Sequence, residues 1–171
     1  MELFLIRHAE AAPLGEGGVQ DDAERPLTQA GRDHCKPLAE ALQRIGVKLD
    51  RIATSPLLRA RQTAEELLNH WPVPLPALDE CDALAPGAKP RKLARYLWKK
   101  GAGSVALVGH MPDLAEHAAW LIGSKKAQLE LAKAGVARIE CEKLPAKGSG
   151  ILTWLVTPAW YDAVTTPVIT K

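Results

Sequence analysis

Two histidines stand just after apolar runs of the kind found in buried strands. Leu3–Ile6 leads into Arg7 and His8, and Val105–Val108 leads, one residue later, into His110. The carboxyl ends of parallel strands meet at one edge of an α/β sheet, and ligands bind at that edge. We therefore expect the two imidazoles, although far apart along the chain, to meet at one site.

Arginines close to these histidines indicate which ligand the site would bind. Arg7 directly precedes His8, and Arg59 lies early in a helix predicted over residues 57–69. Guanidinium groups match phosphate oxygens two at a time, and a neutral imidazole can attack phosphorus in line. The same arginines would repel a metal ion, and the HxH and HxxxH spacings of common zinc ligands are missing from the sequence. These residues favour phosphoryl transfer without a metal.

The elements that must position these residues alternate between strand and helix. This pattern favours an α/β three-layer sandwich, with a mainly parallel sheet, helices on both faces and a hairpin as an antiparallel edge. Pro37 lies inside the first helix pattern and should kink that helix or force a later start. Strands are predicted at 3–6, 51–54, 104–108, 135–142 and 150–156, a short strand or loop at 77–84, and helices at 28–45, 57–69, 90–100 and 111–122.

Composition limits the class of protein. The chain has 171 residues, of which 47% are hydrophobic and 25% charged, as expected for one soluble domain over residues 1–171. A net charge of +2 does not indicate nucleic acid as a partner. Cys35, Cys81 and Cys141 lack CxxC spacing, which predicts a reducing, cytoplasmic setting. No apolar run approaches the ~20 residues that span a membrane, so we expect no membrane segment.

Four ordered segments resemble the histidine phosphatase superfamily. They lie at predicted strand and helix boundaries, and the resemblance spans residues 1 to about 115. Within that superfamily, the short chain, the LTxxG segment and the SPLLRARQTA block resemble the SixA-type phosphohistidine phosphatases. The four segments are Arg7-His8-Ala9, Arg25–Gly31 (RPLTQAG), Ser55–Ala64 (SPLLRARQTA) and Val108–Pro112 (VGHMP).

The resemblance implies a role for each candidate residue. It implies that His8 is the nucleophile and is phosphorylated transiently, while Arg7, Arg59 and His110 bind the phosphoryl group. It also implies a parallel sheet with an antiparallel edge. Neither a metal nor an organic cofactor is expected.

The general acid remains open between three carboxyl groups. Relatives that hydrolyse phosphate esters protonate the leaving alkoxide with a carboxylic acid, and Asp79, Glu80 and Asp82 all precede the Leu84–Gly87 segment. We favour Asp82, with Glu80 next. Imidazole has an unperturbed pKa of about 6.5, far below that of an alcohol, so it leaves with less help from an acid. A site whose acid is uncertain therefore suits phosphohistidine better than a phosphate ester.

Three functions follow from these observations. The leading hypothesis is a phosphatase that acts through phospho-His8 on a phosphohistidine of a partner protein. A small-molecule phosphomonoesterase, acting on a sugar, nucleotide or cofactor phosphate, is the first alternative, and a non-catalytic phosphate-binding signalling module is the second. A mutase is disfavoured because about a dozen residues between Leu78 and Pro90 leave little for a closed lid. Substrate choice is expected in the 11–26 and 79–90 loops.

Overall fold

A six-stranded mixed sheet runs through the computed structural model, which describes residues 1–165. Residues 166–171, which belong to the predicted domain, lie outside this described part. The strands, in chain order, are β1 (Glu2–Arg7), β2 (Arg51–Thr54), β3 (Ala77–Glu80), β4 (Ser104–Gly109), β5 (Val136–Cys141) and β6 (Gly150–Val156). Across the sheet their order is β3-β2-β4-β1-β5-β6.

The pairing directions of the strands confirm the predicted fold class. β3, β2, β4 and β1 run parallel, whereas β5 pairs antiparallel with β1 and β6 antiparallel with β5. Every residue of β4 is buried, and so are Leu3–Ile6 of β1. Strands that are covered on both faces need apolar side chains on both, which explains the continuous apolar runs in the sequence.

Helices cover both faces of this sheet. One face carries α1 (Gln29–Arg44), α2 (Leu58–Asn69) and α5 (Pro158–Thr165), and the other carries α3 (Pro90–Lys100) and α4 (Asp113–Leu121). Successive residues of β1 point into opposite cores, with Leu3 and Leu5 toward α3 and α4, and Phe4 and Ile6 toward α1 and α2. No helix in the described part has the length and apolar character needed to cross a membrane.

The first helix begins earlier than Pro37 alone would suggest. Thr28 is its N-cap, because the Thr28 hydroxyl accepts a hydrogen bond of 3.0 Å from the Gly31 amide. Pro37 then lies within α1, so the predicted later start of the helix is wrong. The cap and the burial of Leu38 and Leu42 against the sheet outweigh the backbone hydrogen bond that a proline cannot make.

The helix α5 was not indicated by the sequence pattern. Its Tyr161 side chain is fully buried, and the Tyr161 hydroxyl donates a hydrogen bond of 3.1 Å to the Ala134 carbonyl. An element of eight residues is too short to show a clear helical period, so its packing against α1 is visible only in the structure.

Candidate active site

The parallel pairing of β1 with β4 places the two predicted histidines side by side. Arg7 pairs with Gly109 in the strand register, and the His8 amide donates a hydrogen bond of 3.0 Å to the Gly109 carbonyl. His8 and His110 therefore leave the sheet together, with ring centroids 5.1 Å apart. Their side chains form a common floor at the carboxyl edge of the sheet, where both residues are buried.

His8 is held in the form that a nucleophile requires. Its Nδ1 lies 2.7 Å from the Ala9 carbonyl oxygen, so Nδ1 carries the proton and donates it to that oxygen. The other ring nitrogen, Nε2, is then unprotonated, and its lone pair accepts a hydrogen bond of 3.3 Å from Arg59 Nε. Burial, aided by the nearby guanidinium groups, lowers the pKa of His8 to about 4. The imidazole is thus neutral at pH 7.

His110 is neutral as well, and Ser55 orients its ring. The His110 Nε2 lies 2.8 Å from Ser55 Oγ, which also accepts a hydrogen bond of 3.4 Å from the Leu57 amide. We assign the Ser55 hydroxyl as the donor to Nε2, which leaves the proton of His110 on Nδ1. His110 Nδ1 is buried and has no hydrogen-bond partner among the described residues. Burial, with smaller effects from His8 and Arg59, lowers the pKa of His110 to about 3.

Arg59 enters the site from the first turn of α2. It is buried, and its guanidinium group donates to His8 through Nε and to Asp22 through both terminal nitrogens. Thr63, one turn further along α2, accepts a hydrogen bond of 3.0 Å from the Ala9 amide and donates one of 2.7 Å to the Arg59 carbonyl. Thr63 therefore ties the start of α2 to the end of β1.

Arg7 approaches from the opposite face of β1. Its Nη1 donates a hydrogen bond of 2.8 Å to the Leu131 carbonyl, and its Nε is buried without a partner in the described part of the chain. Arg7 and Arg59 both lie close enough to His8 and His110 to lower the pKa values of these histidines, and Arg7 Nε and His110 Nδ1 are buried without a hydrogen-bond partner among the described residues. Donors of this number and charge match the oxygens of a tetrahedral anion. Within the described residues, no three His, Cys, Asp or Glu side chains form a metal site.

The side chains of the acid candidates in and after β3 lie in different surroundings. Asp79 faces α3, where Tyr96 Oη donates to it at 2.9 Å and Lys100 Nζ lies 2.9 Å away; Arg51 pairs with it as well. Burial alone would raise the pKa of Asp79, but these partners outweigh burial and lower it. Asp79 is an ionised link between β3 and its neighbours, which makes it a poor proton donor.

The other two candidates are exposed. Glu80 lies on the opposite side of β3, with its carboxylate 3.5 Å from Arg61 Nη1. Asp82 begins a single 3₁₀ turn, residues 82–84, in the stretch predicted as a short strand or loop. Neither carboxylate hydrogen-bonds to the two histidines in the described structure. A role for Asp82 or Glu80 as the general acid stays a prediction.

Three residues of the site lay outside the sequence predictions. Ser55 belongs to the SPLLRARQTA segment but is not singled out there, although its position after β2 mirrors those of His8 and His110 after their strands. Thr63 follows Arg59 by four residues on the buried face of α2, which is a weak signal. Asp22 lies in a loop rich in Gly, Asp and Glu, where the sequence has no period to single it out.

Comparison with known proteins agrees with this geometry. A model of the histidine phosphatase superfamily (branch 1) matches residues 3–87, which include His8 and Arg59. Over 166 residues the chain is also 37% identical to an uncharacterized protein of Picosynechococcus and covers 98% of it. The chain belongs to the histidine phosphatase superfamily.

Within this superfamily the chain is similar to SixA. It is 29% identical over 161 residues to the phosphohistidine phosphatase SixA of Escherichia coli K12, covering 92% of this chain and 94% of that protein. A solved structure of the protein histidine phosphatase SixA, complexed with tungstate, matches with a TM-score of 0.80 and 26% identity. The match covers 93% of this chain and 98% of that one. These similarities support a phosphatase that works through a histidine.

Proposed function

We propose that this protein removes the phosphoryl group from phosphohistidine on a partner protein in the cytoplasm, through a phosphorylated His8. The observation that carries the proposal is the state of His8, a neutral buried imidazole whose Nε2 lone pair lies beside Arg59 and His110. An imidazole in this state can attack phosphorus, and the neighbouring donors can stabilise the charge on the equatorial oxygens. Similarity to SixA points to the same substrate class.

The reaction takes two displacements at phosphorus. In the first, His8 Nε2 forms a P–N bond as the P–N bond of the substrate breaks; the leaving imidazole, protonated by solvent on its other ring nitrogen, keeps the electron pair and leaves as a neutral group. In the second, water attacks phosphorus and gives a proton to solvent, the bond to His8 Nε2 breaks with its electron pair returning to Nε2, and inorganic phosphate is released. Arg7, Arg59 and His110 bind the oxygens in both steps.

The placement of the acids supports phosphohistidine over a phosphate ester. Asp79 is ionised and paired, and Glu80 and Asp82 are exposed and make no hydrogen bond to the histidines. An alkoxide leaving group needs strong protonation, whereas an imidazole needs little. A site without a buried acid in its centre is therefore better suited to P–N than to P–O cleavage.

The test compares two substrates with wild-type protein and a His8→Ala variant in the presence of a chelator. We expect a ³²P-labelled phosphohistidine protein to be hydrolysed much faster than a simple alkyl phosphate, and label to accumulate transiently on wild-type protein alone. His70→Ala, which removes an exposed histidine at the end of α2, is the matched control and should retain full activity. Faster hydrolysis of the alkyl phosphate would favour a small-molecule phosphatase. Unchanged activity of His8→Ala would refute the nucleophile.

A further inference from the structure

The loop over residues 11–26 places a carboxylate on the arginine that the proposed function assigns to phosphoryl binding. Asp22 Oδ2 lies 3.0 Å from Arg59 Nη2, and the Asp22 carbonyl oxygen accepts a hydrogen bond of 2.6 Å from Arg59 Nη1. The third donor, Nε, is directed at His8. The outer edge of the guanidinium group is thus bound by the protein itself.

This contact brings together unequal partners. The Arg59 side chain is 7% exposed, whereas the Asp22 side chain is 54% exposed. Arg25 binds the other carboxylate oxygen, with Arg25 Nη1 2.8 Å from Asp22 Oδ1. The Nε of Arg25 also donates a hydrogen bond of 2.6 Å to the Ala12 carbonyl in the same loop. The arginine is part of the buried floor, so Asp22 is the partner that can move away.

The charge on Asp22 persists at neutral pH. Hydrogen bonding from Arg25, followed by that from Arg59, outweighs the slight burial of Asp22 and lowers the pKa of its carboxyl group. A carboxylate and a phosphoryl group each present two oxygens that can accept hydrogen bonds from the terminal N–H groups of a guanidinium, so the two groups compete for these donors. Both cannot occupy the outer edge of Arg59 together.

We propose that Asp22 is an internal competitor of the phosphoryl group: it occupies Arg59 in the free protein and is displaced when an oxyanion binds. The proposal rests on the proposed function for the role of Arg59. The apparent affinity for an oxyanion then equals the intrinsic affinity multiplied by the fraction of molecules in which Asp22 is not bound to Arg59. Asp22 therefore weakens the binding of every phosphoryl ligand by the same factor, so only a ligand with further contacts to the protein, such as a protein substrate, keeps a high affinity.

The test measures binding of tungstate, a tetrahedral dianion, by calorimetry. Asp22→Ala and Asp22→Asn should bind it about 2- to 5-fold more tightly than wild type, the range expected for removal of a half-exposed charge pair. Asp22→Glu, which keeps the charge, should remain nearer to wild type. Asp21→Asn is the matched control, because Asp21 is an exposed neighbour whose carboxylate only accepts from the Ala23 amide.

Each outcome separates competition from other roles. Tightening in the two Asp22 variants but not in Asp21→Asn supports the competitor. Weaker binding would show that Asp22 orients Arg59 for the ligand, and unchanged binding would show that it has no part; either result overturns the inference. If Asp21→Asn bound tungstate more tightly by the same factor, the effect would come from overall charge, and this result would also overturn the inference. Because tungstate binding needs no turnover, these results are independent of the His8→Ala test.

Discussion

Two groups of residues in this molecule differ in what fixes their positions. One group is the buried site residues His8, Ser55, Arg59 and His110, and the other is the exposed acids Asp22, Glu80 and Asp82. His8 and His110 are 9% and 3% exposed, whereas the side chains of Asp22 and Glu80 are 54% and 58% exposed. The histidines follow central strands that are paired on both sides. The acids lie on a loop, on an edge strand and in a short turn, and no sheet contact fixes their side chains.

On the proposed function, this difference separates the residues that we expect to act in the reaction from those that we expect to affect the choice of substrate. A buried side chain held by backbone hydrogen bonds keeps its geometry when different substrates bind, so its removal affects all of them. An exposed side chain on a loop contacts one substrate and not another. Changes in the buried site residues should therefore be large and general, and changes in the exposed acids Glu80 and Asp82 small and dependent on the substrate.

Apart from loss of the proposed nucleophile His8, the largest effect within this comparison is expected for Arg59→Ala. Loss of the guanidinium group removes the donor to His8 Nε2 and a binding group for the phosphoryl oxygens. We expect kcat/KM for a phosphohistidine protein to fall about 100- to 1,000-fold. Arg61→Ala, on the same helix but half-buried and paired with Glu80, is the control and should lose less than about threefold. Similar losses in both variants would show that the site has no preferred arginine.

Acid pH should destabilise the fold through the buried histidines. Burial first, then neighbouring charges, lowers the pKa of His8 to about 4 and that of His110 to about 3, whereas the unfolded chain has ordinary values. Between pH 6.5 and about 4 the unfolded state binds more protons, so stability falls as pH falls. From pH 7 to 5 the free energy of unfolding should drop by about 1 to 2 kcal/mol per histidine.

Urea unfolding at pH 7 and at pH 5 checks this prediction. His8→Asn removes one of the titrating groups, so its loss of stability between the two pH values should be smaller than that of wild type by about 1 to 2 kcal/mol. An equal loss in both proteins would mean that His8 titrates normally in the fold.

Ser55→Ala should lower activity moderately, because it changes the tautomer of His110. Without the hydroxyl at 2.8 Å from Nε2, the proton of His110 is no longer directed to Nδ1. We expect kcat to fall about 10-fold with a smaller change in KM, and nitrogen NMR should show a changed tautomer of His110. Ser104→Ala is the matched control, since Ser104 is also buried but lies at the opposite end of β4 with an unpartnered hydroxyl in the described part. A wild-type tautomer in Ser55→Ala would contradict the positioning role.

The smallest effects are expected for Glu80→Gln and Asp82→Asn. With a phosphohistidine substrate, each should change kcat by less than about threefold, because the leaving imidazole needs little protonation. With an alkyl phosphate, the variant that removes the acid should lose markedly more, which would also decide between Asp82 and Glu80. A large loss of kcat with phosphohistidine would show that one of these acids takes part in the reaction. It would contradict the expected difference between the exposed acids and the buried residues.

The sequence predicts the buried half of the molecule better than the exposed half, for physical reasons. Continuous apolar runs before His8 and His110 favour strands covered on both faces, and the parallel pairing of these strands brings the histidines together. Asp22 has no such local signal, since its contact with Arg59 joins a loop to a helix 37 residues away. At the start of α1 two local signals disagree. The helix begins after the Thr28 cap although Pro37 lies within it, so the cap has the larger effect on where the helix starts.

The central claim is that one tetrahedral anion contacts both strand-exit histidines and both arginines. A crystal structure of the wild-type protein with tungstate bound tests it most directly. We predict the anion against His8 Nε2 and within hydrogen-bond distance of Arg7, Arg59 and His110 Nδ1. An anion bound to only one of the histidines, or bound away from Arg59, would contradict the account.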